Sequence, residues 1–282
     1  MRRTLMTVTM LLGVWFVPGA QATSATWTNT VNGTSDVWTT PANWNAANYP
    51  GADGAYQNAF LTNRVSGSVY KAVVNGNLPN ALGTVEIRNN GGSGGEAWVI
   101  VTNATVTITN LLVRTQGRLE IDNLGVVTNA TVTMDGTNGQ ILVNSGGSLF
   151  SVTNIYVGGN AAGTAFGTNN SLTIGDGGVV GSLCSPIIGS GSSYNTLYVP
   201  GNNVMIRTTN GAPTIGSASA VGNRMVFTGS NIVWDCGSQS GPHRPADQRG
   251  AHDQQRLAGL GWQSDADQPW HVQRRLWRRH GA

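Results

Sequence analysis

Apolar positions in the middle of the chain recur at every second residue, in short runs, and not at the three-to-four spacing of a helix. Examples are Trp98–Thr102, Ala104–Thr109, Ala130–Met134 and Gln140–Val143. The runs are rich in Val, Ile and Thr, and Gly and Asn separate them as turn signals. The pattern predicts an all-β chain. Its low charge alone would fit disorder, but regular β-branched strands argue against that.

Internal repeats sharpen the prediction. Val101–Thr107 recurs letter for letter as Val127–Thr133, a spacing of 26. A second unit runs Asn170-Ser-Leu-Thr-Ile-Gly-Asp-Gly177 and aligns with Asn195–Asn202 and Asn223–Ser230. A β-branched–Gly step precedes each copy: Val157-Gly158, Ile188-Gly189 and Ile215-Gly216. A period of about 25–28 residues fits one turn of a parallel β-helix, or β-solenoid, in which each turn lays its strand on the turn before. Leu172/Ile174, Leu197/Val199 and Met225/Phe227 should then stack as a core. Gly and Asn should take the corners, and Asn residues at equal positions should form hydrogen-bonded ladders. A β-sandwich built from the same strands is the alternative architecture.

The ends of the chain differ from its middle. Arg2 and Arg3, an apolar stretch from Leu5 to Val17 and the Ala20-Gln-Ala22 step read as a signal peptide over 1–22. Residues 23–60 read as a Trp-rich capping segment, and 61–236 as the solenoid. The tail, 237–282, holds all four His and seven of the sixteen Lys+Arg, yet no Asn or Thr. Read one base later, the single Trp codon forces Gly at Trp262-Gln263, Trp270-His271 and Trp277-Arg278. The shifted tail regains the Gly, Asn and Thr it lacks, so the visible one is expected to be a disordered frameshift product that truncates the native protein.

This division changes the charge argument. The whole chain carries +3 with a pI near 9.1. Residues 23–236 hold seven Lys/Arg against nine Asp/Glu, a net of about −2. The basicity belongs to the two ends, so no nucleic-acid partner is expected, despite Arg274, Arg275, Arg278 and Arg279 beside Trp270 and Trp277. No membrane span is expected in the mature chain.

Trp38, Pro41-Ala-Asn-Trp44, Pro50-Gly-Ala-Asp53 and Ala59-Phe60 resemble the N-terminal segment of bacterial autotransporter-like and PEP-CTERM-type exported proteins. The second repeat unit is similar to theirs as well. The resemblance implies a secreted, adhesin-like β-helical passenger on a bacterial surface. The chain departs from that family at its end, where neither a translocating barrel nor a sorting anchor is visible.

Candidate chemistry is sparse. Arg118, Glu120 and Asp122 alternate on one strand face, with Arg114 near in sequence. Glu120 and Asp122 are the pair a glycoside-cleaving site would use, since that chemistry needs two carboxyls flanking the bond. A solvated outer strand with offsetting charges is the favoured account of them, since no second carboxylate cluster supports the enzyme reading. Trp27, Trp38 and Trp44 are candidates for glycan contact, or for a plug at the open end of the solenoid. Asp176 in Gly175-Asp-Gly-Gly178 resembles one copy of a calcium-binding β-roll motif; turn chemistry explains it, and explains Asp53 and the run Gly91–Gly95. Cys184 and Cys236 are read as free thiols. No cofactor, metal site or catalytic triad is expected, because the domain has no His. The expectation is a non-enzymatic exported surface or extracellular protein, adhesin-like or structural. Extracellular glycans or other surface proteins are its expected partners. A polysaccharide lyase or hydrolase and a carbohydrate-binding module are the alternatives.

Overall fold

The computed structural model describes residues 23–29, 31–53, 56–163, 167–183, 185–209, 213–216, 220–235, 255–257 and 262–263. Residues 1–22, Cys184, Cys236 and most of the tail lie outside them, and with them the signal-peptide, thiol and frameshift expectations.

Each early turn of chain gives one strand to each of two parallel sheets. The nine-stranded sheet stacks eight parallel strands in chain order, Ser35–Val37, Val69–Val74, Glu96–Thr102, Gly117–Asp122, Gln140–Val143, Ser171–Ile174, Thr196–Val199 and Arg224–Phe227, and ends on the antiparallel Trp262–Gln263. The thirteen-stranded sheet opens with Thr23–Thr26, Tyr56–Asn63, Leu82–Asn89, Thr105–Val113 and Val126–Met134. Past Val126–Met134 it forks. The first half of that strand is continued by Ser148–Ser151, Val179–Ser182, Met205–Thr208 and Ile232–Asp235. Its second half is continued by Ile155–Gly159, Pro186–Ser190 and Thr214–Ile215. Early turns thus have two long sides, and later turns have three. This is a parallel β-solenoid.

Alternating residues point inward and stack on their own kind. Leu119, Ile141, Leu172, Leu197 and Met225 form one column; Val106, Val127, Leu149, Val180, Ile206 and Trp234 form another. All are buried. Burying such aliphatic columns is the main stabilising term, at roughly 1.5–3 kcal/mol per large side chain. The expected Leu172/Leu197/Met225 stack is present.

The period is less regular than the sequence implied. Ala25 pairs with Ala59, Ile87 with Val113, Val106 with Val127, and Leu149 with Val180, so turns span 34, 26, 21 and 31 residues. The value of 25–28 holds for Leu172 on Leu197 and Leu197 on Met225. The identical heptads are not structural equivalents. Val101 and Thr102 end a strand of the nine-stranded sheet, and Asn103 turns a corner at φ 47°. The second copy, Val127–Thr133, runs within one strand of the other sheet, and its Asn129 is buried there. The physical reason is compositional: Asn is tolerated both at a positive-φ corner and in a strand, so letter identity does not fix register.

Corners follow the expected chemistry. Among the described residues, six of the ten non-Gly residues at positive φ are Asn. A polar seam lines the inside of the fork, where Asn129, Ser151, Ser182 and Thr208 pair turn upon turn and all are buried. Ser182 Oγ donates to the Thr153 carbonyl at 2.5 Å. The Ser151 and Ser182 hydroxyls serve backbone carbonyls where one strand bends into two, and the Thr208 hydroxyl accepts from Trp234 Nε1.

Two segments of the tail are described. Gln255–Leu257 pairs antiparallel with Ile232–Asp235, and Trp262–Gln263 pairs antiparallel with Arg224–Phe227. These are short strands, where irregular chain was expected. Among the described residues no helix is long and apolar enough to cross a membrane.

Candidate functional site

The Trp cluster lies in the first turn of the stack, where Trp27 N–H donates to the Phe60 carbonyl and Trp38 N–H to the Val73 carbonyl of the next turn. Trp27, Trp38 and Trp44 are 5%, 1% and 4% exposed. Trp44 packs edge-on against both others, with ring centroids at 5.1 Å from Trp27 and 4.7 Å from Trp38. Trp44 Nε1 donates to the Trp38 carbonyl (2.8 Å), and Trp38 Nε1 donates to the Pro50 carbonyl (3.0 Å). The spaced motif is therefore one packed unit. Pro41–Asn43 makes a 3₁₀ turn, and buried Asn43 donates to the Val37 carbonyl. The glycan-contact reading of these three residues is corrected here: no ring face is open for a sugar to stack on.

The strand Gly117–Asp122 carries the carboxylate candidates. Arg118, Glu120 and Asp122 do share its outer face. Arg118 Nη2 donates to Glu120 Oε2 at 3.0 Å, so that carboxylate is held in an ion pair. Parallel register adds what sequence reading missed: Lys71, Trp98 and Arg118 stand in one row on three successive turns. Lys71 Nζ lies 4.5 Å and Arg118 Cζ 4.1 Å from the Trp98 ring centroid. Cations on the neighbouring turns flank the indole, whose N–H donates to Glu96. Trp98 was hidden because it opens a run that reads as core; its parity, opposite to that of Val99, is the only signal. The face is a charge-balanced row rather than a cleft. Asp122 Oδ1 is buried without a hydrogen-bond partner.

Arg114 does not join this set. It belongs to a second cluster on the outer face of the thirteen-stranded sheet. Glu86, buried with its side chain 10% exposed, lies 2.9 Å from Arg88 Nε and 3.8 Å from Arg114 Nε. Asp135 lies 3.5 Å from Arg114 Nε. In each pair the closest guanidinium atom is Nε. A cleft of about 200 Å³ opens beside them, lined by Arg88, Asn90, Arg114, Thr115, Asp135 and Gly136. Sequence reading missed this cluster because Arg114 and Asp135 meet through a 21-residue turn, not a 26-residue one. A second cleft, of about 280 Å³, is lined by Asn77–Ala81, Thr105 and Thr107. Neither cleft borders Glu120 or Asp122.

Asp176 is a corner residue. Gly178 N–H donates to the Gly175 carbonyl (3.1 Å), and Asp176 Oδ1 accepts from the backbone and side-chain amides of Asn202. Gly91–Gly95 is likewise turn structure. Among the described residues no group of three His, Cys, Asp or Glu side chains is placed to hold a metal ion.

The geometry defines the chain as a parallel β-solenoid with outward side chains in straight rows. No family model, curated protein or solved structure matches it.

Proposed function

We propose that the chain is a non-enzymatic, exported β-repeat protein of the bacterial surface or extracellular space, adhesin-like or structural. One observation carries this reading. Outward side chains stand in straight rows across many turns: Lys71, Trp98, Arg118, Gln140, Ser171, Thr196 and Arg224 form a single row seven turns long. With turns about 4.8 Å apart, such a row presents one feature per turn to a long ligand or a neighbouring molecule. The reading also rests on the signal-peptide pattern of residues 1–22.

The test pairs localisation with binding. Export should depend on residues 1–22, and the mature chain should bind cells or immobilised glycans without releasing product. Release of reducing or unsaturated sugar ends that disappears in Glu120→Ala would instead establish the lyase or hydrolase alternative.

A further inference from the structure

The cluster around Glu86 is built unlike an ordinary surface ion pair. Its acids are inside and its cations outside: Glu86 and Asp135 side chains are 10% and 18% exposed, against 36% and 39% for Arg88 and Arg114. The carboxylates, Glu86 buried and Asp135 partly exposed, approach the guanidiniums through Nε, the inner edge of the group. Arg88 Nε and Arg114 Nε are buried without a hydrogen-bond partner, while the two side chains as a whole are 36% and 39% exposed. Neither Nη pair donates a hydrogen bond to a described residue. Arg88 and Arg114 follow one another in register on adjacent turns, because Arg114 N–H donates to the Ile87 carbonyl. The two residues thus follow one another on strands about 4.8 Å apart, and both side chains line one cleft.

The rest of the lining suits a sugar. Asn90 and Thr115 supply amide and hydroxyl groups, and Asp135 supplies an acceptor for hydroxyl protons. Gly136 keeps the floor low, since a Cβ there would collide with the Arg114–Thr115 peptide. At about 200 Å³ the cleft is smaller than the roughly 300 Å³ at which pockets for drug-sized ligands begin. It fits one sugar residue with its charged group, not a long segment. A guanidinium fork matches a carboxylate in a bidentate way that an ammonium group cannot.

We propose that this cleft binds a carboxylate of an acidic polysaccharide, with Arg88 and Arg114 holding the oxyanion and Asn90, Thr115 and Asp135 contacting the ring hydroxyls. This deepens the adhesive reading above and rests on it. The solenoid axis would align the polymer so that successive acidic residues pass the two arginines.

The test measures binding of fluorescent polygalacturonate to the mature chain, with carboxyl-reduced polymer and dextran sulfate as comparisons. Polygalacturonate should bind and the reduced polymer should not. Arg88→Gln with Arg114→Gln should weaken binding at least tenfold, whereas Arg207→Gln, on an exposed position elsewhere, should leave it unchanged. Circular dichroism checks that the double variant is folded. If it is not, Arg88→Lys with Arg114→Lys carries the test: charge is retained, the fork is lost, and binding should still weaken. The proposal is overturned if polygalacturonate fails to bind, or if a folded glutamine or lysine double variant binds as well as the parent. It is also overturned if dextran sulfate binds equally and the lysine variant is indifferent, which is attraction to any polyanion. Adhesion to cells that survives in the double variants would leave the broader reading standing while this site falls.

Discussion

Gly158 and Asn195 occupy one volume between them: a Cβ on Gly158 would land on the carboxamide of Asn195, which belongs to the following turn. Gly189 and Asn223 repeat the relationship one turn later. The two sequence signatures, a β-branched–Gly step and a unit headed by Asn, are halves of the same device. Gly158 and Gly189 take positive φ, 81° and 78°, and leave the space the amide fills. The amides then run as a ladder. Asn170 N–H donates to Asn195 Oδ1 (3.0 Å) and Asn195 N–H donates to Asn223 Oδ1 (2.9 Å), while each Nδ2 donates to the next Oδ1. A second ladder, Asp176–Asn202–Ser230, bounds the other end of the repeat unit.

The first prediction follows from that shared volume. Asn195→Ala leaves the Asn170 N–H and other buried groups unpaired and should cost about 2–4 kcal/mol. Gly158→Ala should be at least as damaging in the parent chain. In the Asn195→Ala background the collision vanishes, and only backbone strain of about 1–2 kcal/mol should remain. Urea melts of the four proteins should therefore show coupling of at least ~1 kcal/mol, where residues that merely sit near one another would be additive.

Asn129 gives a prediction of opposite sign. It is 1% exposed, and neither amide atom has a hydrogen-bond partner. The residue above it in register is Ile108, an apolar neighbour. Asn129→Leu removes an unsatisfied amide and adds apolar contact at similar volume, so stability should rise by about 1 kcal/mol. A lower urea midpoint would mean that the amide is satisfied in solution and that the polar seam requires it.

Asn129 also shows where sequence reasoning reaches its limit. The all-β class, the stacked parallel turns and the Asn170–Asn195–Asn223 ladder were legible, because inward parity and corner chemistry leave direct traces in the letters. Register was not legible in the early turns. The heptad shared by Val101–Thr107 and Val127–Thr133 proposed a shift of 26, whereas hydrogen bonding places Val106 on Val127, a shift of 21. Turn length depends on how many corner residues loop out, and Gly, Asn and Thr serve in any number. The clusters that need the true register, Lys71–Trp98–Arg118 and Glu86–Arg88–Arg114–Asp135, were invisible for that reason. The carboxylates seen in sequence share one strand, so they needed no register at all.

The N-terminal Trp cluster should act as a plug. Trp44→Ala removes the ring that touches both Trp27 and Trp38, together with the hydrogen bond to the Trp38 carbonyl. It should cost about 3–5 kcal/mol. Since the first turn contacts only the next one, the loss should appear as early exchange of amide protons near Ala25 and Ala59, with later turns still protected. Uniform loss of protection would show that the stack unfolds as a single unit.

The two carboxylate–arginine clusters should separate cleanly under mutation. Glu120 is 20% exposed and Arg118 25%, and Arg118 keeps its contact with the Trp98 ring when Glu120 is removed. Glu120→Ala should therefore change stability by less than about 1 kcal/mol, the range of surface pairs. Glu86 is more deeply buried and is shared by two guanidiniums on different turns. Glu86→Ala leaves Arg88 with no counterion and Arg114 with Asp135 alone. Both arginines reach solvent, which limits the penalty to about 1–3 kcal/mol. Thermal melts at low and high salt distinguish the cases. Salt should lower the parent's small advantage over Glu120→Ala toward zero, because only one partly exposed pair is lost, while most of the Glu86→Ala deficit, which removes a carboxylate only 10% exposed and shared by two arginines, should persist. Equal salt sensitivity would place both carboxylates in the same dielectric surroundings and remove the reason for treating Glu86 as the anchor of the cleft.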